Sequence, residues 1–283
     1  MGLELAYFYK KVLKLKIKFR MVLKQMLEDV INFTEAPIDE AKFTEECRNE
    51  LEQKGVVTLH NFLKPETVKE LVREAKSHSN LAYFTNSTHN VYLTPTNKAL
   101  SPDHVFNRQL TSSKGCITTD QIPNASKLKR LYFSDIFKKF ICKVVEETDL
   151  YEYADPLSSI NVHYAAKGQE LNWHFDNSKF AITLLLQAPK GGGHFEYVSN
   201  LRNAEKNEMN FEGVESVLEG KTKINRLDTR PGTLILFRGQ NSIHRVTPTE
   251  GEQERILVVL AYNSQPGISL SEEARMTFFG RLQ

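Results

Sequence analysis

Cysteines are few in this chain of 283 residues, and they are scattered along it. Cys47, Cys116 and Cys142 are odd in number and include no Cys-x-x-Cys pair. This pattern argues against a disulfide framework and against a thiolate zinc site. Unpaired thiols fit a reducing compartment, so we expect a cytoplasmic protein. The formal net charge of +2 is too small to indicate nucleic acid or an acidic polymer as a partner.

Long hydrophobic runs are also missing. Near the N-terminus, apolar residues are interrupted by basic ones, so that no stretch could span a bilayer or form the apolar region of a signal peptide; the basic residues are Lys10, Lys11, Lys14, Lys16, Lys18, Arg20 and Lys24. We therefore predict that residues 1–36 form a basic amphipathic segment, for which contact with a membrane surface is one interpretation. The others are a solvated helix packed on the body and an extension upstream of a start at Met21 or Met26. Residues 37–283 have the length of a single domain.

The C-terminal half contains a spaced set of polar residues within apolar surroundings: His174, Asp176, His244 and Arg255. Two imidazoles and one carboxylate are the 2-His-1-carboxylate ligand set, which binds Fe(II) and leaves coordination positions open. A His-x-Asp pair alone is a weak signal, because it arises by chance in many chains of this length. The order and spacing of the surrounding strands make the pair informative.

Apolar runs of strand length surround these residues and are separated by glycine and proline turns, a pattern typical of β-hairpins. The runs cover residues 161–164, 171–176, 180–186, 194–198, 233–237, 242–246 and 255–261. Upstream, helix start signals and periodicity predict helices over about 37–53, 64–77 and 126–149, with a strand over 55–59. The sequence therefore predicts a mainly β fold with flanking helices.

This succession of motifs resembles the Fe(II)/2-oxoglutarate-dependent oxygenases, over about residues 161–260. In that family a His-x-Asp dyad, a glycine-rich hairpin, a distal histidine and a strand arginine follow one another on a double-stranded β-helix, also called a jelly roll. The resemblance implies such a core at about residues 155–265. It also implies an enzyme that uses Fe(II), 2-oxoglutarate and O₂.

The resemblance assigns roles to the spaced polar residues. His174, Asp176 and His244 would bind the iron. His244 and Arg255 are expected on two hairpin strands about 4.8 Å apart, so that Arg255 would bind the far carboxylate of a 2-oxoglutarate chelated beside His244. His194, which follows the glycine run, matches no ligand of the family and is assigned to the strand surface.

The strand before the dyad offers further candidates for the pocket. In prolyl-hydroxylase-like members, a strand tyrosine at about this distance donates to the 2-oxoglutarate carboxylate, and Tyr164 is the closest match. Because side chains alternate along a strand, Asn161 and His163 point away from the face that Tyr164 occupies. If Tyr164 faces outward as a core tyrosine, Asn161 and His163 face the pocket and are candidates for substrate binding.

Residues 80–125 are rich in Asn, Thr, Ser and Pro and show no periodicity. A connection of this length is usually functional or disordered, so we predict a lid over the metal site. Its Arg108 could bind a substrate carboxylate in a bidentate manner, and a surface arginine is the alternative. Other histidines of the N-terminal half, among them His89, are expected to be ordinary surface residues.

The resemblance implies hydroxylation of an unactivated C–H bond in a small molecule. Related radical halogenases have Gly or Ala at the position of Asp176, which frees a coordination position for chloride, so Asp176 disfavours halogenation. The motifs at residues 173–178 and 236–248 look most like a branch of free-amino-acid oxygenases and halogenases, which makes an amino acid or a derivative the first expectation. The alternatives are desaturation or cyclisation of a natural-product intermediate, a protein side chain as substrate, a non-catalytic jelly-roll binding module, and a zinc-dependent lyase or cupin-type isomerase.

Overall fold

The structure is a computed structural model that describes Val22 and residues 24–283. The greater part of the predicted basic amphipathic segment, with its proposed membrane contact, lies outside the described residues. Its described end packs on the body, because Leu27, Val30 and Ile31 are buried in the main hydrophobic cluster. Within the described part of the chain, no helix has both the length and the hydropathy that a bilayer crossing requires.

The fold consists of two antiparallel sheets, a short strand pair and flanking helices. The helices are α1 Ala41–Lys54, α2 Pro65–Ser77, α3 Lys127–Tyr132, α4 Asp135–Val145, α5 Phe211–Leu218 and α6 Glu272–Phe279. The strands are β1 Val56–Leu59, β2 Tyr83–His89, β3 Leu110–Ile117, β4 Ile160–Ala165, β5 Leu171–His174, β6 Ala181–Gln187, β7 Gly191–Gly192, β8 Phe195–Val198, β9 Asn225–Arg226, β10 Leu234–Phe237, β11 Ile243–Val246, β12 Thr249–Glu250 and β13 Arg255–Leu260.

The strand order of the large sheet is β1-β10-β6-β13-β4-β3-β2, and that of the small sheet is β5-β11-β8-β9, while β7 pairs with β12. The inner faces of the two sheets meet where Phe195 of the small sheet contacts Phe237 of the large one, with ring centroids 5.1 Å apart. Two facing antiparallel sheets of this kind form a jelly roll, which confirms the predicted mainly β fold with flanking helices.

Alternation along β13 divides the large sheet into a helix-facing side and an inner side. Ile256, Val258 and Leu260 are buried in the main core together with residues of α1, α2, α3 and α4. Each fully buried aliphatic side chain of this kind contributes roughly 1.5–3 kcal/mol of transfer free energy. Arg255 and Leu257 point to the other side, into the space between the sheets.

Alternation along the strands of the small sheet likewise places the two metal-binding histidines on its inner side. His174 of β5 lies directly opposite His244 of β11 in the strand register. Their neighbours Trp173, Phe175 and Ile243 point outward and form a second apolar cluster with α5 and with the connection between β2 and β3. The packing of this outer cluster holds the two histidines on the inner face.

The expectation that residues 80–125 lack regular structure is wrong for two segments. Strands β2 and β3 pair over seven registered positions and extend the large sheet at its edge. They were difficult to predict because β2 is an edge strand with no buried face. Its sequence therefore shows no alternation of apolar and polar residues. The connection between them, residues 90–109, packs on the outer side of the small sheet.

A second expectation, that His244 and Arg255 lie on neighbouring hairpin strands, is also wrong. Strand β11 pairs with β5 and β8, whereas β13 pairs with β4 and β6. The turn between them includes β12 and carries the chain from the small sheet to the large one. Arg255 therefore enters the interior from the sheet opposite to the one that carries His244.

Candidate metal centre

Three side chains converge at the end of β5. One ligand atom from each of His174, Asp176 and His244 lies within 4.8 Å of the other two. Asp176 Oδ1 is 3.7 Å from His174 Nε2 and 3.6 Å from His244 Nε2. Among the described residues this is the one group of three or more His, Cys, Asp or Glu side chains with the spacing of a metal site.

Backbone carbonyls fix the orientation of both imidazoles. His174 Nδ1 donates to the carbonyl of Asn172 at 2.8 Å, and His244 Nδ1 donates to the carbonyl of Ser242 at 3.0 Å. Each ring therefore presents the lone pair of Nε2 to the centre of the cluster. Burial lowers the pKa of His174 to about 3 and that of His244 to about 4. Both rings are neutral at physiological pH, which is the form that binds a metal.

Asp176 completes the set with a carboxylate that has an unsatisfied oxygen. Its Oδ2 is buried and has no hydrogen-bond partner, and leaving such an atom unpaired costs roughly 1–3 kcal/mol. Burial raises the pKa of Asp176, and the nearby positive side chains of Lys114 and Arg202 oppose that shift. A divalent cation would bind Asp176 Oδ1 and both Nε2 atoms, which lie within 3.7 Å of that oxygen, so the three residues fit Fe(II).

Arg255 lies between the sheets without an acidic partner. It is buried, its Nε has no hydrogen-bond partner, and among the described residues no carboxylate forms an ion pair with it. Burial lowers the pKa of Arg255 to about 10, so the guanidinium stays charged at neutral pH. It lines a cavity of about 420 Å³ with Leu185, with the glycine turn and His194, and with residues 226–229. A buried arginine of this kind is a site for an anionic ligand.

Tyr164 is not placed as the sequence predicted. It lies on the helix-facing side of β4, and its hydroxyl donates to the carbonyl of Ala75 in α2 at 2.7 Å. The alternative therefore applies, in which Asn161 and His163 face the interior. The amide of Asn161 donates to the carbonyls of Leu157 and Ile160, so it stabilises the chain before β4. His163 faces the interior and contacts Lys114.

Arg108 and the predicted lid also differ from the expectation. Arg108 forms an ion pair with Glu215 of α5 at 3.3 Å, and about a third of its side chain is exposed. This pair lies on the outer side of the small sheet, behind the strands that carry the histidines. Arg108 is a surface arginine, and the connection that contains it covers the back of the sheet. No feature of the sequence indicated this position, because a polar segment can pack on either side of a sheet.

Three polar residues near the cluster escaped the sequence analysis. His89 of β2 is not an ordinary surface residue, because its ring packs edge-on against His174 with centroids 6.1 Å apart. Its Nε2 accepts from Ser112 Oγ, which itself accepts from the backbone N–H of Asn172. Lys114 of β3 and Arg202 both approach Asp176 closely enough to lower its pKa. The alternation Ser112-x-Lys114-x-Cys116 is the signal that could have revealed this inner face.

Solved structures share this fold. The α-ketoglutarate-dependent carbocyclase SnoK from nogalamycin biosynthesis superposes with a TM-score of 0.55 at 12% identity, over 82% of this chain and 90% of its own. A prolyl hydroxylase from Trichoplax adhaerens, solved with a peptide of hypoxia inducible factor, gives 0.51 at 14% identity, over 82% and 93%. A 2OG-Fe(II) oxygenase family member from Burkholderia pseudomallei gives 0.50 at 13% identity, over 80% and 93%. No curated protein is a match in sequence.

The fold and the triad define an Fe(II)- and 2-oxoglutarate-dependent oxygenase, an enzyme that uses Fe(II), 2-oxoglutarate and O₂. More narrowly, residues 38–277 match the family model described as Halogenase D, and the chain belongs to that family. The match spans the whole jelly roll, including the triad and Arg255.

Proposed function

We propose that the protein hydroxylates an unactivated C–H bond of a small molecule, an amino acid or a derivative of one. The observation that carries this proposal is the carboxylate of Asp176 at the third ligand position. Related radical halogenases have Gly or Ala there, which leaves a coordination position for chloride. In this chain Asp176 fills that position, so a member of the Halogenase D family is expected to insert oxygen and not a halogen.

The surroundings of Asp176 support a carboxylate as the native ligand. Its backbone N–H donates to the carbonyl of Gly239 at 3.1 Å, and a Cβ built on Gly239 would overlap Asp176 Oδ2. The chain therefore keeps a glycine where any larger residue would displace the carboxylate. This complementarity indicates that the site is shaped around three protein ligands.

The roles of the remaining residues follow from their positions. When bound, Fe(II) and 2-oxoglutarate would activate O₂ and so supply the oxidant that removes a hydrogen atom from a C–H bond. Arg255 is proposed to bind the far carboxylate of 2-oxoglutarate through a charge-assisted fork, which fixes the direction of the co-substrate. His174 and His244 are held in one orientation by their carbonyl partners, so the metal site needs little reorganisation on binding.

Two experiments test the proposal. Under anaerobic conditions, Fe(II) plus 2-oxoglutarate should give the wild type a visible metal-to-ligand charge-transfer band, which a zinc-dependent lyase or a non-catalytic binding module would lack. A panel of free amino acids is then screened in air and in chloride buffer for succinate formation, and the products are analysed by mass spectrometry. We expect one added oxygen atom in the product. A chlorinated product would overturn the hydroxylase assignment, and loss of two hydrogens would indicate desaturation or cyclisation instead.

A further inference from the structure

A second cationic side chain lies inside the jelly roll with no assigned partner. Lys114 of β3 shares the inner face of the large sheet with His163 of β4, since Cys116 and His163 are registered partners. Its Nζ lies 3.4 Å from both ring nitrogens of His163. Among the described residues, no carboxylate forms an ion pair with Lys114.

The neighbours of Lys114 do not neutralise its charge. Burial and the charges of Lys114 and Arg255 hold the pKa of His163 well below its ordinary value, so this ring is neutral. Burial raises the pKa of the Cys116 thiol to about 12, so the thiol is neutral as well. Burial lowers the pKa of Lys114, and the nearby Asp176 opposes that shift. Because the Asp176 carboxylate is committed to the metal, a further anion beside Nζ would stabilise the ammonium form of Lys114.

The interior therefore holds more positive than negative charge before any ligand binds. Arg255 and Lys114 both project inward from the large sheet. Arg202 acts on Asp176 from the outer side of the small sheet, where its guanidinium stacks on Phe175 at 4.2 Å from the ring centroid. Isolated charges in such surroundings are costly unless they are paired. The 2-oxoglutarate far carboxylate would pair with Arg255, which leaves Lys114 unmatched.

Arg255 and Lys114 provide two cationic positions on the inner face of the large sheet. Arg255 lies on β13 and Lys114 on β3, and β4 separates these strands. Strands two positions apart are separated by roughly 10 Å. The two carboxylates of 2-oxoglutarate would be used at Arg255 and at the metal, which leaves the substrate as the molecule that can supply an anion to Lys114.

The C-terminal segment covers Lys114. The ring of Phe278 in α6 lies 5.8 Å from Lys114 Nζ, and Phe279 packs in a cluster with Cys116 and Leu157. Arg281 fastens the end of the chain to the turn after β3, with 2.7 Å to Asp120 Oδ1 and 2.6 Å to Thr118 Oγ1. The C-terminal segment thus partly covers a group that consists of an ammonium, a neutral imidazole and an aromatic ring.

We propose that Lys114 and His163 form an anion-binding subsite for the carboxylate of the substrate, with Phe278 as its cover. This inference rests on the proposed function and narrows it, because it requires a substrate that carries a free carboxylate beside the C–H bond to be oxidised. The ammonium of Lys114 binds one carboxylate oxygen, and the neutral His163 ring offers an N–H to the other.

The test is a thermodynamic cycle between the protein and the substrate. The probe is the amino acid of the panel that produces most succinate, together with its primary amide, and each is titrated into the anaerobic Fe(II)–2-oxoglutarate protein while the charge-transfer band is followed. Lys114→Met should weaken binding of the amino acid on the order of a hundredfold, and Lys114→Arg should restore part of it. The amide should bind the wild type weakly, and Lys114→Met should reduce the affinity for the amide little further. The effects of the two changes on affinity would then not be additive.

The control is Lys167→Met, which removes an exposed lysine paired with Glu252 and should leave both affinities unchanged. Additive effects of the amide and of Lys114→Met would overturn the subsite, as would a raised 2-oxoglutarate requirement with unchanged amino-acid affinity. A wild type whose band is perturbed by no carboxylate in the panel would overturn it too. These results differ from a failure of the proposed function, in which the wild type shows no charge-transfer band at all.

Discussion

Gly239 lies directly against the carboxylate of Asp176, and its carbonyl accepts a hydrogen bond from the backbone N–H of that residue at 3.1 Å. The two residues come from different segments, one after β5 and the other after β10. The position of the Asp176 carboxylate therefore depends on the absence of a side chain at Gly239, more than sixty positions further along the chain.

Substitution of Gly239 should therefore act on the metal. In Gly239→Ala the new methyl group overlaps Asp176 Oδ2 and must push the carboxylate out of line with the two Nε2 atoms, so we expect iron affinity to fall by about tenfold to a hundredfold, as for other changes next to metal ligands. Equilibrium titration with Fe(II) under anaerobic conditions measures this.

The matched control is Gly213→Ala, whose methyl would contact only the side chain of Asn210, the N-cap of α5. It should cost about 1 kcal/mol of stability through the cap and leave iron affinity unchanged. Equal iron affinities for the two variants would show that Gly239 does not position Asp176.

Arg255→Ala should separate co-substrate binding from metal binding. Removing one partner of a buried charge-assisted pair costs several kcal/mol, so the 2-oxoglutarate concentration for half-maximal turnover should rise by roughly two to three orders of magnitude. Iron affinity without co-substrate should stay the same, because the triad belongs to the other sheet.

Arg245→Ala is the matched control for Arg255→Ala. Arg245 pairs with Glu196 at 2.7 Å and stacks over Trp173 on the outer side of the small sheet. It should leave the 2-oxoglutarate requirement unchanged, although its loss removes packing. An Arg255→Ala enzyme with normal co-substrate dependence would mean that another residue binds the far carboxylate.

The metal-free protein should lose stability as the pH falls below about 6.5. Burial lowers the folded-state pKa of His174 to about 3 and of His244 to about 4, from 6.5. The unfolded chain therefore binds more protons in this window, and stability falls by up to about 1.4 kcal/mol per pH unit for each histidine. His163 adds to the same trend, whereas the raised pKa of Asp176 opposes it at the acidic end.

Urea denaturation of the chelator-treated protein between about pH 7 and pH 5 measures this trend. His244→Gln should reduce the slope of stability against pH by up to about 1.4 kcal/mol per unit at the acidic end of this range, since glutamine does not titrate. A slope that is the same in the variant would show that His244 is not held neutral in the folded state.

Arg108→Ala should have little effect on catalysis or stability. Its ion pair with Glu215 is partly exposed on both sides, and such pairs contribute about 0–1 kcal/mol. Michaelis constants for the amino acid and for 2-oxoglutarate should match the wild type. A selective loss of substrate affinity would place the connection between β2 and β3 at the pocket after all.

The sequence predicted the triad and the strands around it because those strands are central and apolar. In these strands, polar residues that are unusual in a buried strand, such as His174, alternate with apolar residues such as Trp173. Lys114 was missed because most of β3 is polar, so that the alternation Ser112-x-Lys114-x-Cys116 was the one signal of its inward face. The direction of Tyr164 was ambiguous for a different reason: alternation shows that neighbours face opposite ways, but it does not show which way is inward.

The register irregularity between His244 and Val246, where β11 pairs with β5, has a consequence for dynamics. A ladder with few regular pairs opens more readily than the six-position pairing of β13 with β4. Amide hydrogens of β5 and β11 should therefore exchange with solvent faster than those of β13 in the metal-free protein. Iron bound by the two histidines would link β5 to β11 and slow that exchange. The ion would then stabilise the small sheet in addition to its role in the reaction.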